Sequence, residues 1–117
     1  MGDAMSLDIE LYTEVDLGGP DGPQRVSFES LNATHNLGPM WRHVGAYDVL
    51  YNSDGQTAAS TIPVLEAALA KMEADPDGCR AFDSPNGWGT YDSALRFLRG
   101  WLHACRQRPK ALISVWK

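Results

Sequence analysis

Cysteine is scarce in this chain of 117 residues, and its uninterrupted apolar runs are only a few residues long. A bilayer-spanning helix needs roughly 20 consecutive apolar residues, so no membrane segment is expected. The opening Met1-Gly-Asp-Ala-Met-Ser6 has no basic region followed by an apolar stretch, which is not the pattern of a signal peptide. Met5 is a candidate natural start. Residues 1–6 read as a disordered extension, residues 7–117 as a single domain, and a cytoplasmic location is expected.

The two cysteines, Cys79 and Cys105, form no CxxC pair. A disulfide staple is not expected in a cytosolic chain with 44% apolar residues, enough for a core. Cys105 falls on the apolar face of a predicted helix and reads as a small buried hydrophobe. No HxH, HExxH or Cys/His cluster is present, so neither a metal nor another cofactor is expected. A GxSxG elbow, a P-loop and a GxGxxG fingerprint are also missing. Gly18-Gly-Pro-Asp-Gly22 is glycine-rich, but prolines interrupt it and a strand pattern follows, which makes a poor phosphate cradle.

Charge of one sign is short on each side of position 90. Residues 1–89 carry 14 acids against 4 bases, and residues 90–117 carry Asp92 against six bases. Such a basic end can meet an acidic partner or a nucleic acid. Without aromatics interleaved in a dense Lys/Arg cluster, it reads more simply as the solvated face of a last helix.

What is present organises into elements. Leu7, Ile9, Leu11, Thr13 and Val15 alternate with Asp8, Glu10, Tyr12, Glu14 and Asp16, the period of a half-buried strand with an acidic outer face. Those carboxylates read as solubilising rather than catalytic. Residues 17–24 hold three glycines and two prolines, a long turn. Val26, Phe28 and Ser30 resume the alternation, which predicts an antiparallel hairpin. A helix begins near Leu37 or Gly38, with Asn36 as N-cap and Pro39 in the first turn. Met40, Val44 and Tyr47 share a face flanked by Trp41, and Gly45 weakens or bends the helix. A second helix starts near Thr57, with a break and recapping by Ser60 or Thr61 before Pro63. Ile62, Leu65, Leu69 and Met72 are its core stripe. The third helix opens at the N-cap Thr90, with Asp92 complementing its positive end. It presents Ala94, Leu95, Leu98, Trp101, Leu102 and Cys105 to the core. Pro109 stops it, and Ala111 to Trp116 reads as a final strand.

The expected fold is therefore α+β, ββαααβ: a three-stranded, mostly antiparallel sheet in the order 2-1-3 with about three helices on one face. If the last strand runs antiparallel to the first, two polar and aromatic loops meet at one rim. They are residues 32–41 and 84–91, and each feeds a helix start. The expected site residues are Asn32, Thr34, His35, Asn36, Trp41, Asn86, Trp88 and Tyr91, around one shallow pocket. A purely structural reading competes: the Asn and Thr residues as caps, and Gly87-Trp-Gly89 folding an indole onto the core. His35 is the one candidate acid, base or metal ligand, set against a hydrogen-bonded structural histidine.

Three functions are compatible with these residues. The first is a binding module without catalysis, recognising a protein partner or a small polar ligand through the two loops. The second is a small enzyme acting on an anionic or nucleotide-like substrate, with His35 as acid or base. The third is nucleic-acid binding through Arg96 and Arg99 of the last helix.

The stretches Asn32-Ala-Thr-His-Asn-Leu-Gly-Pro-Met-Trp41, Ala46-Tyr47 with Asp54-Gly55, Pro85-Asn-Gly-Trp-Gly-Thr-Tyr91 and Arg108-Pro-Lys-Ala-Leu-Ile-Ser-Val115 carry a resemblance. With them the chain resembles a family of small uncharacterised proteins from actinobacteria and their phages, over nearly its whole length from Leu7. The family carries no established activity, so the resemblance implies no catalytic residue. It implies a soluble intracellular protein of phage or phage-associated origin, a kind of protein that often acts by binding a host factor or a small ligand.

Overall fold

A computed structural model describes residues 6–117. Strand β1 (Ser6–Val15) pairs antiparallel with β2 (Gln24–Thr34) on one side and with β3 (Leu112–Trp116) on the other, giving the order β2-β1-β3. The α+β class and the strand order are those the sequence predicts. Residues 1–5 of the expected extension lie outside the described residues. Ser6, also expected in it, pairs instead with Thr34.

The alternation in β1 decides which face is buried. Leu7, Ile9 and Leu11 are fully buried beneath the helices, and Asp8 and Glu10 face outward. On β2 the alternation is broken. Between the pairs Glu10–Ser30 and Tyr12–Ser27, β1 advances two residues and β2 three, which is a bulge. Ala33 and Leu31 pair with Leu7 and Ile9, but beyond the bulge Val26 is the residue opposite Thr13. The side facing the helices thus passes from odd to even positions, so Ser30 does not share a face with Val26 and Phe28 as expected. The hairpin then runs past the helical layer. Val15, Leu17, Val26 and Phe28 are left partly or largely exposed. The radius of gyration is 15.3 Å, against about 13 Å for a compact chain of this length.

Where three helical segments are expected, the described residues form five helices: α1 (Gly38–Val44), α2 (Tyr47–Tyr51), α3 (Ala58–Ala74), α4 (Pro76–Arg80), which lies outside the expected segments, and α5 (Tyr91–Gln107). Gly45 ends α1 outright, because it adopts a left-handed φ of 79°. α1 and α2 are too short to persist alone and hold their shape by burying Met40, Trp41, Val44 and Leu50. The break expected before Pro63 does not occur. Three bonds fix the start of α3 upstream of the proline. The Thr57 hydroxyl accepts from the Ser60 N–H, and the N–H groups of Ala58 and Ala59 donate to the carbonyls of Ala111 and Pro109. Pro63 withdraws one donor from the exposed Ala59 carbonyl, where water can replace it. The core stripe of α3 is Ala58, Thr61, Leu65, Ala68 and Met72, with Ile62 and Leu69 at its margin.

α3 and α5 lie antiparallel. Arg106 meets Glu66 at 2.7 Å near one end, and Arg99 meets Glu73 at 2.7 Å towards the other. Arg80 pairs with Asp92, and Arg108 with Glu29. These pairs are largely exposed to water, which screens them, so they add little to stability. Their consequence is electrostatic: the basic end of the sequence is matched to the acidic part. The outer edge of β3 is also covered. Gly55 donates to the Ile113 carbonyl, Ile113 donates to that of Gln56, and the Asp54 carboxylate accepts from the Val115 N–H. No helix among the described residues is long and apolar enough to cross a membrane.

Both cysteines are buried and free. Burial pushes the Cys105 thiol up from an ordinary 9.0 to about 11, with the Thr61 hydroxyl opposing part of that. A raised folded-state value means that its contribution to stability is complete below the ordinary range and is lost as the pH rises through about 11. The urea midpoint should therefore fall between pH 9 and 11, and Cys105→Ala should flatten part of the fall. Equal declines for both proteins would contradict this.

Candidate functional site

The strand directions bring the two loops together. β2 and β3 both run antiparallel to β1, so they run parallel to each other. α5 returns along β3 and therefore starts at the end where β2 finishes. There the Asn36 carboxamide donates from Nδ2 to the Trp88 carbonyl at 2.9 Å.

The turn after β2 sorts its own side chains. Residues His35–Leu37 form a 3₁₀ turn, capped by the Thr34 hydroxyl, which accepts from the Asn36 N–H. Three residues per turn splay successive side chains by about 120°. Thr34 and Asn36 face the Trp88 loop, and His35 turns away. Asn36, expected to cap α1, does not. Leu37 occupies that place without a side-chain bond, which leaves the Asn36 carboxamide to reach across.

The facing loop is fixed by its own hydrogen bonds. Asn86 Oδ1 accepts from the Trp88 N–H at 2.9 Å and from the Ser84 hydroxyl at 2.6 Å. The N–H groups of Gly87 and Ser84 donate to the carbonyls of Ser84 and Gly89. The Asp83 carboxylate accepts from the Tyr91 N–H at 2.7 Å. Thr90 caps α5 as predicted, in a reciprocal box with Ser93. Thr90→Ala should cost about 1 kcal/mol in urea unfolding. An unchanged midpoint would show that the cap does not hold this junction.

Gly89 makes the close approach possible. Its φ is 110°, and a Cβ there would stand 3.1 Å from the Asn36 Cβ and 3.3 Å from the Thr34 Cγ2. Trp88 is held by both backbone groups, yet the residue is 70% exposed. It does not fold onto the core. Trp88 borders two open recesses. One, of about 280 Å³, is lined by Ala33, Leu37, Ser93 and Phe97 among others. The other, of about 450 Å³, is lined by Ser6, Asn36 and Asn86 among others. Asn32, Thr34 and Trp88 border both. Among the described residues, no ionisable side chain lines either recess.

Five of the eight expected residues therefore share the rim: Asn32, Thr34, Asn36, Asn86 and Trp88. Three do not. Trp41 is fully buried in the core, with its ring 5.8 Å from that of Phe97. Tyr91 is buried too, and its hydroxyl donates to the Met72 carbonyl at 2.7 Å. Burial raises that phenol above its ordinary range. Tyr91 opens α5 and lies on the core stripe, so it joins α5 to α3 instead of facing a ligand. His35 lies on the far side of the 3₁₀ turn, where Nδ1 and the Tyr51 hydroxyl are 2.8 Å apart.

Sequence reasoning missed Ser6, Ser93 and Phe97 in the lining. Ser6 falls in the stretch expected to be an extension. Phe97 stands three residues after Ala94 and four before Trp101, a spacing that marks the buried stripe of α5. Among the described residues no cluster of His, Cys, Asp or Glu could hold a metal ion. In comparisons with protein-family models, with curated proteins and with solved structures, nothing matches this chain.

Proposed function

We propose that the protein is a binding module whose two-loop rim recognises an uncharged segment of a partner protein, with Trp88 as the anchor. The observation that carries this reading is an exposed tryptophan whose backbone N–H and carbonyl are both hydrogen-bonded. A rigid aromatic anchor loses little entropy on binding and buries a large apolar area. The groups around it suit a peptide. With one atom of each carboxamide occupied, Asn32 Oδ1, Asn36 Oδ1 and Asn86 Nδ2 have no partner among the described residues. They offer two acceptors and a donor, the complement of main-chain amides.

The uncharged lining of the two recesses favours binding over acid–base chemistry: His35 lies off the rim, and the Asp8 carboxylate beside it accepts from Asn32. Pairing of Arg99, Arg106 and Arg108 with carboxylates likewise weakens the case for a phosphate backbone along α5. Taken with the resemblance to proteins of actinobacteria and their phages, the proposed setting is a bacterial cytoplasm and the proposed partner a host protein. A small polar ligand in the larger recess is the second reading, favoured by its volume.

Selection of a random-peptide library on the immobilised protein tests this. Enriched peptides should share a pattern and shift the amide resonances of residues 32–36 and 84–90. Peptides that shift only other regions, or no enrichment at all, would overturn the reading.

A further inference from the structure

Where His35 turns away from the rim, a separate recess of about 360 Å³ opens, bordered by His35, Gly38, Arg42, Tyr47, Tyr51 and Lys117. Its chemistry is the opposite of the rim's. It is bordered by a guanidinium, an ammonium and an imidazole and, among the described residues, by no Asp or Glu, in a chain of net charge −5. Arg80, Arg99, Arg106 and Arg108 each face an acid. Arg42 makes no ion pair among the described residues. Its guanidinium lies 4.0 Å from the centre of the Tyr47 ring instead.

These groups are organised before any ligand arrives. Tyr47 stacks on Tyr51, with ring centres 4.3 Å apart and planes 6° from parallel. One face of Tyr47 thus carries Tyr51, and Arg42 lies over the ring as well. A guanidinium held over an aromatic face by cation–π attraction keeps the N–H groups in its own plane for an acceptor. Burial pushes the Tyr51 phenol up to about 12, so it stays neutral. Its O–H can donate to His35 Nδ1, and in that arrangement the imidazole hydrogen sits on Nε2. Lys117 is tethered through Nζ to the Asn52 carboxamide oxygen at 2.8 Å, and Asn52 in turn donates to Asp48.

From this geometry we infer that the recess binds a phosphate group, with Arg42 and Lys117 supplying charge and His35 Nε2 a directed N–H. The phosphate can be free or carried on a small molecule. Planar, bidentate donation from Arg42 is the contact best suited to phosphate oxygens. This site is independent of the Trp88 rim, and either can fail without the other.

The test is a titration of the isotopically labelled protein at neutral pH and constant ionic strength. One arm uses inorganic phosphate, a second phenyl phosphate, and sodium chloride is the control. Phosphate should give saturable amide shifts confined to residues 35–51 and the end of β3. Tighter binding of phenyl phosphate would assign the ligand to a phosphorylated small molecule, and equal binding to phosphate itself. Arg42→Ala, at an exposed position, should weaken binding at least about tenfold. Tyr51→Phe keeps the stacked ring but releases His35, and should weaken it about threefold. Non-saturable shifts, shifts that chloride reproduces, or an Arg42→Ala protein that binds phosphate as well as wild type would each overturn the inference.

Discussion

Gly89→Ala is expected to cost about 2–4 kcal/mol of stability, because strain and crowding act at one atom. The residue holds a φ of 110°, which a side chain disfavours. The added methyl would also stand 3.1 Å from Asn36, 3.3 Å from Thr34 and 3.4 Å from Leu37. None of these is the far end of a long flexible chain, so relief requires one loop to back away from the other. Asn36 would then lose its bond to the Trp88 carbonyl, and the indole its fixed mount. Gly87→Ala separates the two contributions. Gly87 has a φ of 78°, but a methyl added there would meet nothing within 4 Å. Its replacement should cost only the backbone strain, about 1 kcal/mol. Urea unfolding of both variants gives the comparison. Equal costs would mean that the loops do not press together at Gly89.

The architecture is legible in the sequence because β1 is plainly periodic and because connections constrain a three-stranded sheet. Once the last strand runs antiparallel to the first, the end of β2 and the start of α5 must share an edge. That is why Asn36 and Trp88 meet, although 52 residues separate them. The details that depart from expectation have physical causes. The bulge at Glu10–Tyr12 depends on how the hairpin twists, and the alternation of Val26 and Phe28 looks the same with or without it. Pro63 reads as a helix breaker only until the carbonyls of Pro109 and Ala111 are known to anchor the turn before it.

Trp41 and Tyr91 suggest a site by their chemistry, but their spacing points to the core. Trp41 precedes Val44 by three, and Tyr91 precedes Ala94 and Leu95 by three and four, which is the spacing of core positions. His35 is tied to the rim only by proximity in sequence. The 3₁₀ turn that rotates it away carries no distinctive sequence signal. The cationic recess escapes a sequence reading because its residues come from α1, α2 and the end of β3, whose packing no local pattern reveals.

Trp88→Ala should separate recognition from folding. The residue is 70% exposed, so removal of its side chain should change stability by less than about 0.5 kcal/mol. Central aromatic anchors of interfaces cost about 2 kcal/mol or more when truncated, roughly a thirtyfold loss of affinity. Asn36→Ala should produce a smaller loss, since it releases the Trp88 carbonyl but leaves the indole in place. The sharpest measurement is calorimetric titration of a peptide selected on the wild-type protein into wild type and Trp88→Ala, beside their urea midpoints. A loss of roughly thirtyfold or more at matched midpoints is the predicted result. Equal affinities for the two proteins would contradict the assignment of this rim as the recognition surface.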